Sequence, residues 1–409
     1  MSRFKRYLIS LVAGALVCVP AFDRGFAQTK QSGPQIWQKT FDVVWKTVDE
    51  KSFDSHFGGV DWSAVRTRYA PQVSTVKSDR ELLDLLGRML KELPVSHLNL
   101  VELDGLDKIL GRSVVNRGVA LRDIGGQVVI TRVVSASSAD RAGLRPGFVV
   151  RAIDDVPAAK ARDAEAALAG DMKSHRLAVL DEADAARTVM VDYQLPAEDK
   201  LSAASVGPVK RYVLLESSRV ADGIGYIHFT NFTTAVAKKL STVLESMRDA
   251  RALIIDLRGN SGGDTDAGLA LAGRLVERET QLAIMRTRKG DDYYDKAKPQ
   301  KNGYRGPVVI LLDEESGSES EDVAAGLQEA GRVVIIGTRS KGANMDASLQ
   351  GLPLRNVALQ YPTGYPRTPK GTIIEGHGVT PDIEVHLTRA ALLRGVDQQL
   401  EAAIAHLRQ

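Results

Sequence analysis

The sequence predicts an α/β protein in which a helical N-terminal segment and a small β-rich domain precede the largest unit. Three patterns lead to this expectation. Before residue 94, apolar residues recur at helical spacing. Between about residues 111 and 195, short strand-like runs alternate with small-residue turns. Beyond residue 206, apolar strand-like runs alternate with amphipathic helices, which is typical of a mostly parallel sheet. At 409 residues the chain exceeds the usual size of one hydrophobic core, so more than one domain is expected.

Residues 1–27 show the order of zones that is typical of an export signal. Basic residues precede an apolar stretch from Tyr7 to Phe22, and the run Gly25-Phe26-Ala27 offers a cleavage site before Gln28. The apolar stretch is too short to serve comfortably as a membrane anchor. We therefore expect an exported protein, periplasmic or secreted, with no integral membrane segment after cleavage. The sequence leaves open whether the signal is cleaved or retained.

The composition argues against several kinds of partner and cofactor. The formal net charge is +3, and residues 1–27 carry four basic residues against one acidic residue, so the rest of the chain is close to neutral. A basic footprint for nucleic acid is therefore absent. The only cysteine, Cys18, lies in the signal, so the remaining chain has no disulfide, thiol nucleophile or thiolate zinc site. No spaced cluster of histidines and carboxylates indicates a metal, and we expect no cofactor.

The segment 28–105 is predicted to be helical. Its first helix carries an apolar stripe at helical spacing. A second helix begins at Ser78, where the run Ser78 to Glu81 has the spacing of a capping box and leucines follow on one face. Pro94 ends that helix, because proline cannot continue its hydrogen-bond pattern. Ser96 and His97 are left on the chain that follows.

The segment 106–196 is predicted to be a small β-rich domain. The run Gly118-Val119-Ala120-Leu121 and the helix-turn-strand pattern from Ala139 to Gly147 resemble a PDZ domain. Such domains add the C-terminus of a peptide to a sheet edge as an extra strand, and backbone amides capture its carboxylate. The resemblance implies that Gly118, Val119, Ala120 and Leu121 bind peptide; a β-domain without a ligand is the alternative. The predicted strands include Val128 to Ile130, Val149 to Ile153 and Val189 to Leu195.

The unit 206–409 follows a polar stretch, Pro196 to Ser205, that we expect to be a linker. Its apolar runs suit strands that are buried on both faces, as in a parallel sheet flanked by helices. One amphipathic helix is expected near residues 236–247. The predicted core strands are Leu253 to Ile255, Val308 to Leu312 and Val333 to Ile336.

A glycine-rich turn, Gly259 to Gly263, follows the first of these strands. Such a turn directs backbone N–H groups into a cleft, where they can stabilise an oxyanion. Ser261 within it lies in a tetrapeptide similar to the one that holds the nucleophile of trypsin-like proteases. In PDZ-bearing proteases of that fold the PDZ domain follows the catalytic serine, whereas here it precedes it. We therefore prefer Ser318 to Ser261 as the nucleophile.

The turn, the serine-rich segment Ser316-Gly317-Ser318-Glu319 and the helix beyond it resemble the S41 peptidases, the group of C-terminal-processing and tricorn-core enzymes. The resemblance spans the chain after the signal and implies a crotonase/ClpP-like core sheet with helices. It places the nucleophile at Ser318, where the positive end of a helix favours a developing anion. Backbone N–H groups of Gly262 or Gly263 and of Glu319 would form the oxyanion hole.

The processing peptidases carry a lysine base after the next strand, and a gap-free match puts Ala343 at that position. Lys341 is two residues away and would serve as the base only with a shifted register. The tricorn-like branch instead has a Ser-His-Ser-Glu arrangement, and its motifs match Ser96, His97 and Glu375. Since a hydroxyl needs a base near neutral pH, an imidazole oriented by a carboxylate suits this chemistry.

The sequence also allows other assignments of the base and of the function. His377, in the turn after Glu375, is a second candidate base. His228 suits ordinary strand packing. A catalytically inactive peptide-binding protein, a noncatalytic ligand carrier and a Ser-Lys dyad using Lys341 are alternatives to the serine peptidase that we favour. Substrates are expected to be proteins or peptides, and the natural substrate, cleavage specificity and oligomeric state are not defined by the sequence.

Overall fold

The computed structural model describes residues 32–102, 117–169, 173–193, 201–206 and 209–409. The predicted signal, residues 1–27 with Cys18, lies outside this part of the chain. The described residues form a mixed α/β structure with three β-sheets. Within these ranges, no helix combines the length and apolar character that a membrane span requires.

Helices form the N-terminal part of the described chain, and a short strand follows them. The second predicted helix begins where expected: the Ser78 hydroxyl accepts a hydrogen bond from the Glu81 N–H at 3.2 Å. Buried apolar residues of the helices pack together and against a sheet strand that includes Leu359 and Tyr361. The elements are α1 (Pro34–Lys51), α2 (Trp62–Tyr69), α3 (Asp79–Leu90) and β1 (Asn99–Glu102), with 3₁₀ turns at Phe57–Gly59 and Ala70–Thr75.

A six-stranded antiparallel sheet with two helices follows. Its strands pair in the order β2-β3-β4-β6-β7, and β5 pairs with β4. Its core contains Leu121, Ile130, Phe148 and Leu177, which are fully or almost fully buried. The elements are β2 (Val119–Ile124), β3 (Gln127–Val133), α4 (Ser138–Arg141), β4 (Val149–Ile153), β5 (Val156–Pro157), α5 (Ala161–Ala169), β6 (His175–Leu180) and β7 (Ala186–Val191).

A seven-stranded sheet with a parallel centre forms the largest unit. Strand order is β18-β15-β14-β11-β10-β9-β8, and the pairs from β10 to β18 are parallel, which confirms the predicted parallel core. Helices α6, α7 and α8 cover one face and α10 covers the other. The elements are β8 (Leu201–Val206), β9 (Val209–Arg219), β10 (Gly225–Phe229), α6 (Thr234–Ser246), β11 (Leu253–Asp256), α7 (Thr265–Gly273), β14 (Val308–Leu312), α8 (Glu319–Glu329), β15 (Val334–Gly337), β18 (Ile383–Glu384), α9 (Arg389–Leu393) and α10 (Gln398–His406).

A third, five-stranded sheet joins the N-terminal part to the core. Its order is β1-β17-β12-β13, and β16 also pairs with β17. Because Asn99 in β1 pairs with Gln360 in β17, the residues just before β1 are held beside the core. The remaining elements are β12 (Thr280–Thr287), β13 (Asp292–Ala297), β16 (Asp346–Gly351) and β17 (Val357–Arg367).

The structure corrects two expectations about the segment between the six-stranded and seven-stranded sheets. The strand expected at Val189 to Leu195 begins earlier, at Ala186, and ends at Val191; residues 194 and 195 lie outside the described part. Within the expected linker Pro196 to Ser205, residues from 201 onward form β8, which pairs with β9. Main-chain pairing of this kind does not require an apolar side-chain pattern, so side-chain polarity alone misassigned the segment.

Gly326 in α8 tests how closely the helices pack on the sheets. A Cβ added there would lie 2.5 Å from Leu282 Cα, so Gly326→Ala forces backbone apart. We expect it to lower the free energy of unfolding by about 1–3 kcal/mol. Gly87 in α3 has open space around it, and Gly87→Ala should instead raise stability by up to about 1 kcal/mol. Chemical denaturation of both variants measures this difference, and equal effects would contradict the packing described.

Candidate active site

Ser318 lies at the turn between β14 and α8, immediately before the first residue of the helix. Its backbone has φ 53° and ψ −127°, which a residue with a side chain rarely adopts and which costs about 1–3 kcal/mol. Two acceptors hold its N–H: the Ala343 carbonyl at 2.9 Å and Glu321 Oε2 at 3.0 Å. The strained turn is thus fixed by neighbouring groups, and it places the hydroxyl at the positive end of α8.

Ser96, His97 and Glu375 form a hydrogen-bonded chain. Ser96 Oγ donates to Glu375 Oε2 at 2.9 Å and lies 2.8 Å from His97 Nδ1. A hydroxyl has one proton, and here it is given to the carboxylate. Ser96 Oγ must therefore accept from His97, so Nδ1 carries the imidazole proton. His97 Nε2 is left unprotonated, which is the state that a general base requires.

Glu375 is itself held by main-chain donors. The Ser96 N–H donates to Oε1 at 2.8 Å, and the Asn344 N–H donates to Oε2 at 2.9 Å. Charge-assisted bonds of this kind orient a carboxylate strongly. Burial lowers the pKa of His97, the Glu375 charge opposes that shift, and the Lys341 charge adds to it. The ring is therefore neutral over a wider pH range than an exposed histidine.

Glu321, in the first turn of α8, connects Ser318 to the loop that follows β15. Its fully buried carboxylate accepts bonds from the Ser318 N–H, the Gly342 N–H at 2.7 Å and the Ala343 N–H at 3.1 Å. The Ser340 hydroxyl also donates to it at 2.5 Å. Burial raises the pKa of Glu321, while these donors oppose the shift. The sequence motifs did not predict a role for Glu321 in the site, although Ser318-x-x-Glu321 has the spacing of a capping box.

The lysine position of the processing peptidases is occupied differently here. The Ala343 carbonyl accepts from the Ser318 N–H, so this position contributes main chain to the turn 313–318, here called the nucleophile turn. Lys341 Nζ pairs with Glu315 at 3.2 Å, and its side chain is 36% exposed. Nζ is therefore held by a carboxylate and is not part of the hydrogen-bonded chain of Ser96, His97 and Glu375. This geometry favours His97 over Lys341 as the base.

The glycine-rich turn packs directly against the nucleophile turn. A Cβ on Gly262 would lie 2.6 Å from Ser318 Cβ and 2.8 Å from the Glu319 nitrogen, so only glycine fits. The Gly262 N–H donates to Asn260 Oδ1 at 3.0 Å. The N–H groups of Gly263 and Glu319, in contrast, have no acceptor within the described ranges. Of the residues predicted for the oxyanion hole, Gly263 and Glu319 are therefore the available donors.

The other candidates lie in different environments. Ser261 Oγ is 3.3 Å from Asn231 Nδ2, and the His377 side chain is exposed. His228 is buried in β10, and its Nδ1 lies 3.1 Å from the Asp256 carbonyl. Burial lowers the pKa of His228 to about 4. His228 also lines a cavity of about 500 Å³ between the six-stranded sheet and the core, and none of the predicted catalytic residues lines that cavity.

The residues predicted for peptide binding lie at the start of β2. Gly118 has φ 77°, and a Cβ there would overlap the Ser137 side chain, so a glycine is required. Arg122 extends from β2 to the core, where its Nε donates to Asp313 Oδ2 at 2.8 Å. Asp313 Oδ1 accepts from the Gly259 N–H at 2.8 Å. The predicted peptide-binding strand and the glycine-rich turn are therefore joined by one buried ion pair. In the described part of the chain, no group of three or more potential ligands is arranged to hold a metal ion.

Comparison with known proteins identifies similar families for two parts of the chain. Residues 223–385 match the model of peptidase family S41, and residues 34–91 match the model of the tricorn protease C1 domain. The protein is a serine-type peptidase, a hydrolase. Within that class, residues 223–385 are similar to the S41 peptidases, in line with the resemblance of the motifs.

Its relatives include processing proteases and tricorn homologues. A carboxyl-terminal-processing protease from Synechocystis sp. is 25% identical over 98% of this chain and 92% of that protein. Tricorn protease homolog 1 from Streptomyces coelicolor is 26% identical over 90% of this chain, which corresponds to 35% of that longer protein. Among solved structures, the photosystem II D1 C-terminal processing protease has a TM-score of 0.60 at 20% identity and covers 91% of this chain and 97% of its own. That likeness shows the fold alone.

The pH dependence of catalysis tests His97 as the base. Activity requires the neutral ring, so kcat/KM should fall as pH drops through a pKa below 6.5. Lys341→Ala removes a charge that lowers this pKa, so its acid limb should move to higher pH. Glu375→Gln removes a charge that raises it, so its acid limb should move to lower pH. Rate profiles between pH 4 and 8 measure both shifts; shifts in the same direction would contradict the assignment.

Proposed function

We propose that the protein is an exported endopeptidase or peptide-trimming enzyme that acts through an acyl-enzyme on Ser318. The observation that carries this proposal is the Ser96 hydroxyl, which lies within 2.9 Å of both Glu375 and His97 and defines the proton acceptor on the ring. The export signal expected at residues 1–27 supports a periplasmic or secreted location.

In the proposed mechanism, His97 Nε2 takes the proton of Ser318 as Oγ attacks the scissile carbonyl carbon. The N–H groups of Gly263 and Glu319 stabilise the negative oxygen of the tetrahedral intermediate. The imidazolium, stabilised by Glu375 through Ser96, then protonates the leaving amine. Water attacks the acyl-enzyme by the same route, with His97 again accepting a proton.

The proposed substrates are proteins or peptides with accessible C-terminal segments. Two observations support this class: relatives over most of the chain are named carboxyl-terminal-processing proteases, and the segment that resembles a PDZ domain in sequence forms a six-stranded antiparallel sheet with two helices. In this proposal the sheet recruits the substrate through its C-terminus or gates access to Ser318. The Arg122–Asp313 ion pair gives recruitment a physical connection to the glycine-rich turn.

Single and double variants test the catalytic assignment. Ser318→Ala and His97→Ala should each nearly abolish turnover, and the double variant should be little worse than either, because the pair acts as a unit. Glu375→Gln should have a smaller effect, since an orienting group carries no proton in the reaction. Lys341→Ala should retain most activity at neutral pH. Steady-state cleavage of a denatured protein substrate measures all five variants.

Covalent labelling provides the control for a folded but inactive chain. A fluorophosphonate should label Ser318 in the wild-type protein and should not label Ser318→Ala. Labelling that depends on Lys341 and persists in His97→Ala would establish a Ser-Lys dyad instead. Absence of labelling in the folded wild-type chain would favour the noncatalytic peptide-binding alternative, which Ala343 at the family lysine position motivates.

Recruitment through a free C-terminus makes a separate prediction. Amidating the C-terminus of a bound peptide removes the carboxylate that the amides near Gly118 would capture, so its affinity should fall markedly. Anisotropy titrations with the acid and amide forms of one peptide measure this on the Ser318→Ala chain, where no cleavage occurs. Equal affinity of the two forms would rule out this mode of binding.

A further inference from the structure

A glutamate side chain of this protein accepts a hydrogen bond from the edge of β2 that no strand covers. Among the described strands, β2 pairs with β3 alone, so its other edge is open for strand addition. On that edge the Leu121 N–H donates to Glu165 Oε1 at 2.8 Å, and Glu165 belongs to the flanking helix α5. An added peptide would need this N–H as a donor for one of its carbonyls. Peptide binding therefore removes the main-chain partner of Glu165.

The surroundings of Glu165 contain more carboxylates than cations. Its side chain is 23% exposed, and its second partner is Arg122 Nη1 at 3.3 Å. The same guanidinium pairs with Asp313 and lies 3.7 Å from Glu314, so one cation serves three carboxylates. Burial raises the pKa of Glu165, and Arg122 and the Leu121 N–H oppose that shift. If the Leu121 bond is lost, the mostly buried carboxylate of Glu165 keeps only Arg122 as a partner, and Arg122 also pairs with two other carboxylates.

The chemistry of a suitable peptide follows from this imbalance. A buried carboxylate that loses a donor destabilises the complex unless a new donor replaces it. A lysine or arginine side chain supplies both a donor and a positive charge, whereas an apolar side chain supplies neither. An acidic side chain adds repulsion.

We propose that the groove between β2 and α5 selects extended peptides that carry a lysine or arginine side chain paired with Glu165. Glu165 is then a specificity-determining residue for substrate recruitment. This inference rests on the proposed recruitment of peptides by the six-stranded sheet, and it adds the class of peptide that is recruited.

The test uses the full chain with Ser318→Ala to prevent cleavage. Eight-residue peptides with a free C-terminus carry lysine or the apolar isostere norleucine, placed in turn at each of the four positions before the last residue. Fluorescence anisotropy should show, at one position, at least tenfold tighter binding of the lysine peptide. Adding Glu165→Gln should bring that ratio close to one. Asp163→Asn, which removes an exposed acid from the same helix, should leave the ratio unchanged.

The outcomes separate this inference from the proposed recruitment. Equal binding of lysine and norleucine peptides at every position, with affinity still lost on amidation, would overturn the role of Glu165 and leave recruitment intact. A lysine preference that persists in Glu165→Gln would overturn it as well. If no peptide of the set binds, both proposals fail. In the Ser318→Ala chain with Glu165 intact, a lysine-to-norleucine ratio of at least ten supports the inference and a ratio near one overturns it, even where a melting temperature shows that Glu165→Gln folds poorly.

Discussion

The buried carboxylate of Glu321 is the interaction on which the rest of the site depends. It joins the nucleophile turn to the loop after β15 by accepting from Ser318, Ser340, Gly342 and Ala343. That loop in turn donates the Asn344 N–H to Glu375, which accepts from the Ser96 hydroxyl beside His97. An ionised group buried without such donors would be strongly destabilising. The same donors therefore stabilise the fold and set the geometry of the turn that carries Ser318.

Much of the fold was predictable from the sequence. The apolar runs of β11, β14 and β15 lie between helices on both faces, so their burial is visible in composition alone. Strand β8 was not predictable in this way, because its pairing with β9 is a main-chain property. In the candidate site, too, side-chain features were predictable and main-chain contacts were not. Ser318, His97 and Glu375 stand in recognisable motifs, whereas the Ala343 carbonyl acts through its backbone and leaves no side-chain signature.

Lys341 and His97, the two candidate bases, differ in their hydrogen-bond partners. Lys341 lies close enough to His97 for its charge to lower the pKa of the ring. Lys341 Nζ pairs with Glu315 and is partly exposed to solvent. Ser96 contacts His97 Nδ1 and so determines which ring nitrogen carries the proton. Desolvation and hydrogen bonding, more than residue type, determine which group can accept a proton at neutral pH.

The pairing of β1 with β17 means that the site does not exist in any continuous part of the chain. Ser96 and Glu375, which share a hydrogen bond, are 279 residues apart in sequence. Contacts between such distant segments form late, because the entropy of closing a long loop opposes them until the intervening structure is in place. On the proposed assignment, proteolytic competence is a property of the completed fold, because an incompletely folded chain carries Ser318 without the assembled Ser96, His97 and Glu375. The same assignment implies a chain that stays inactive until these distant segments meet.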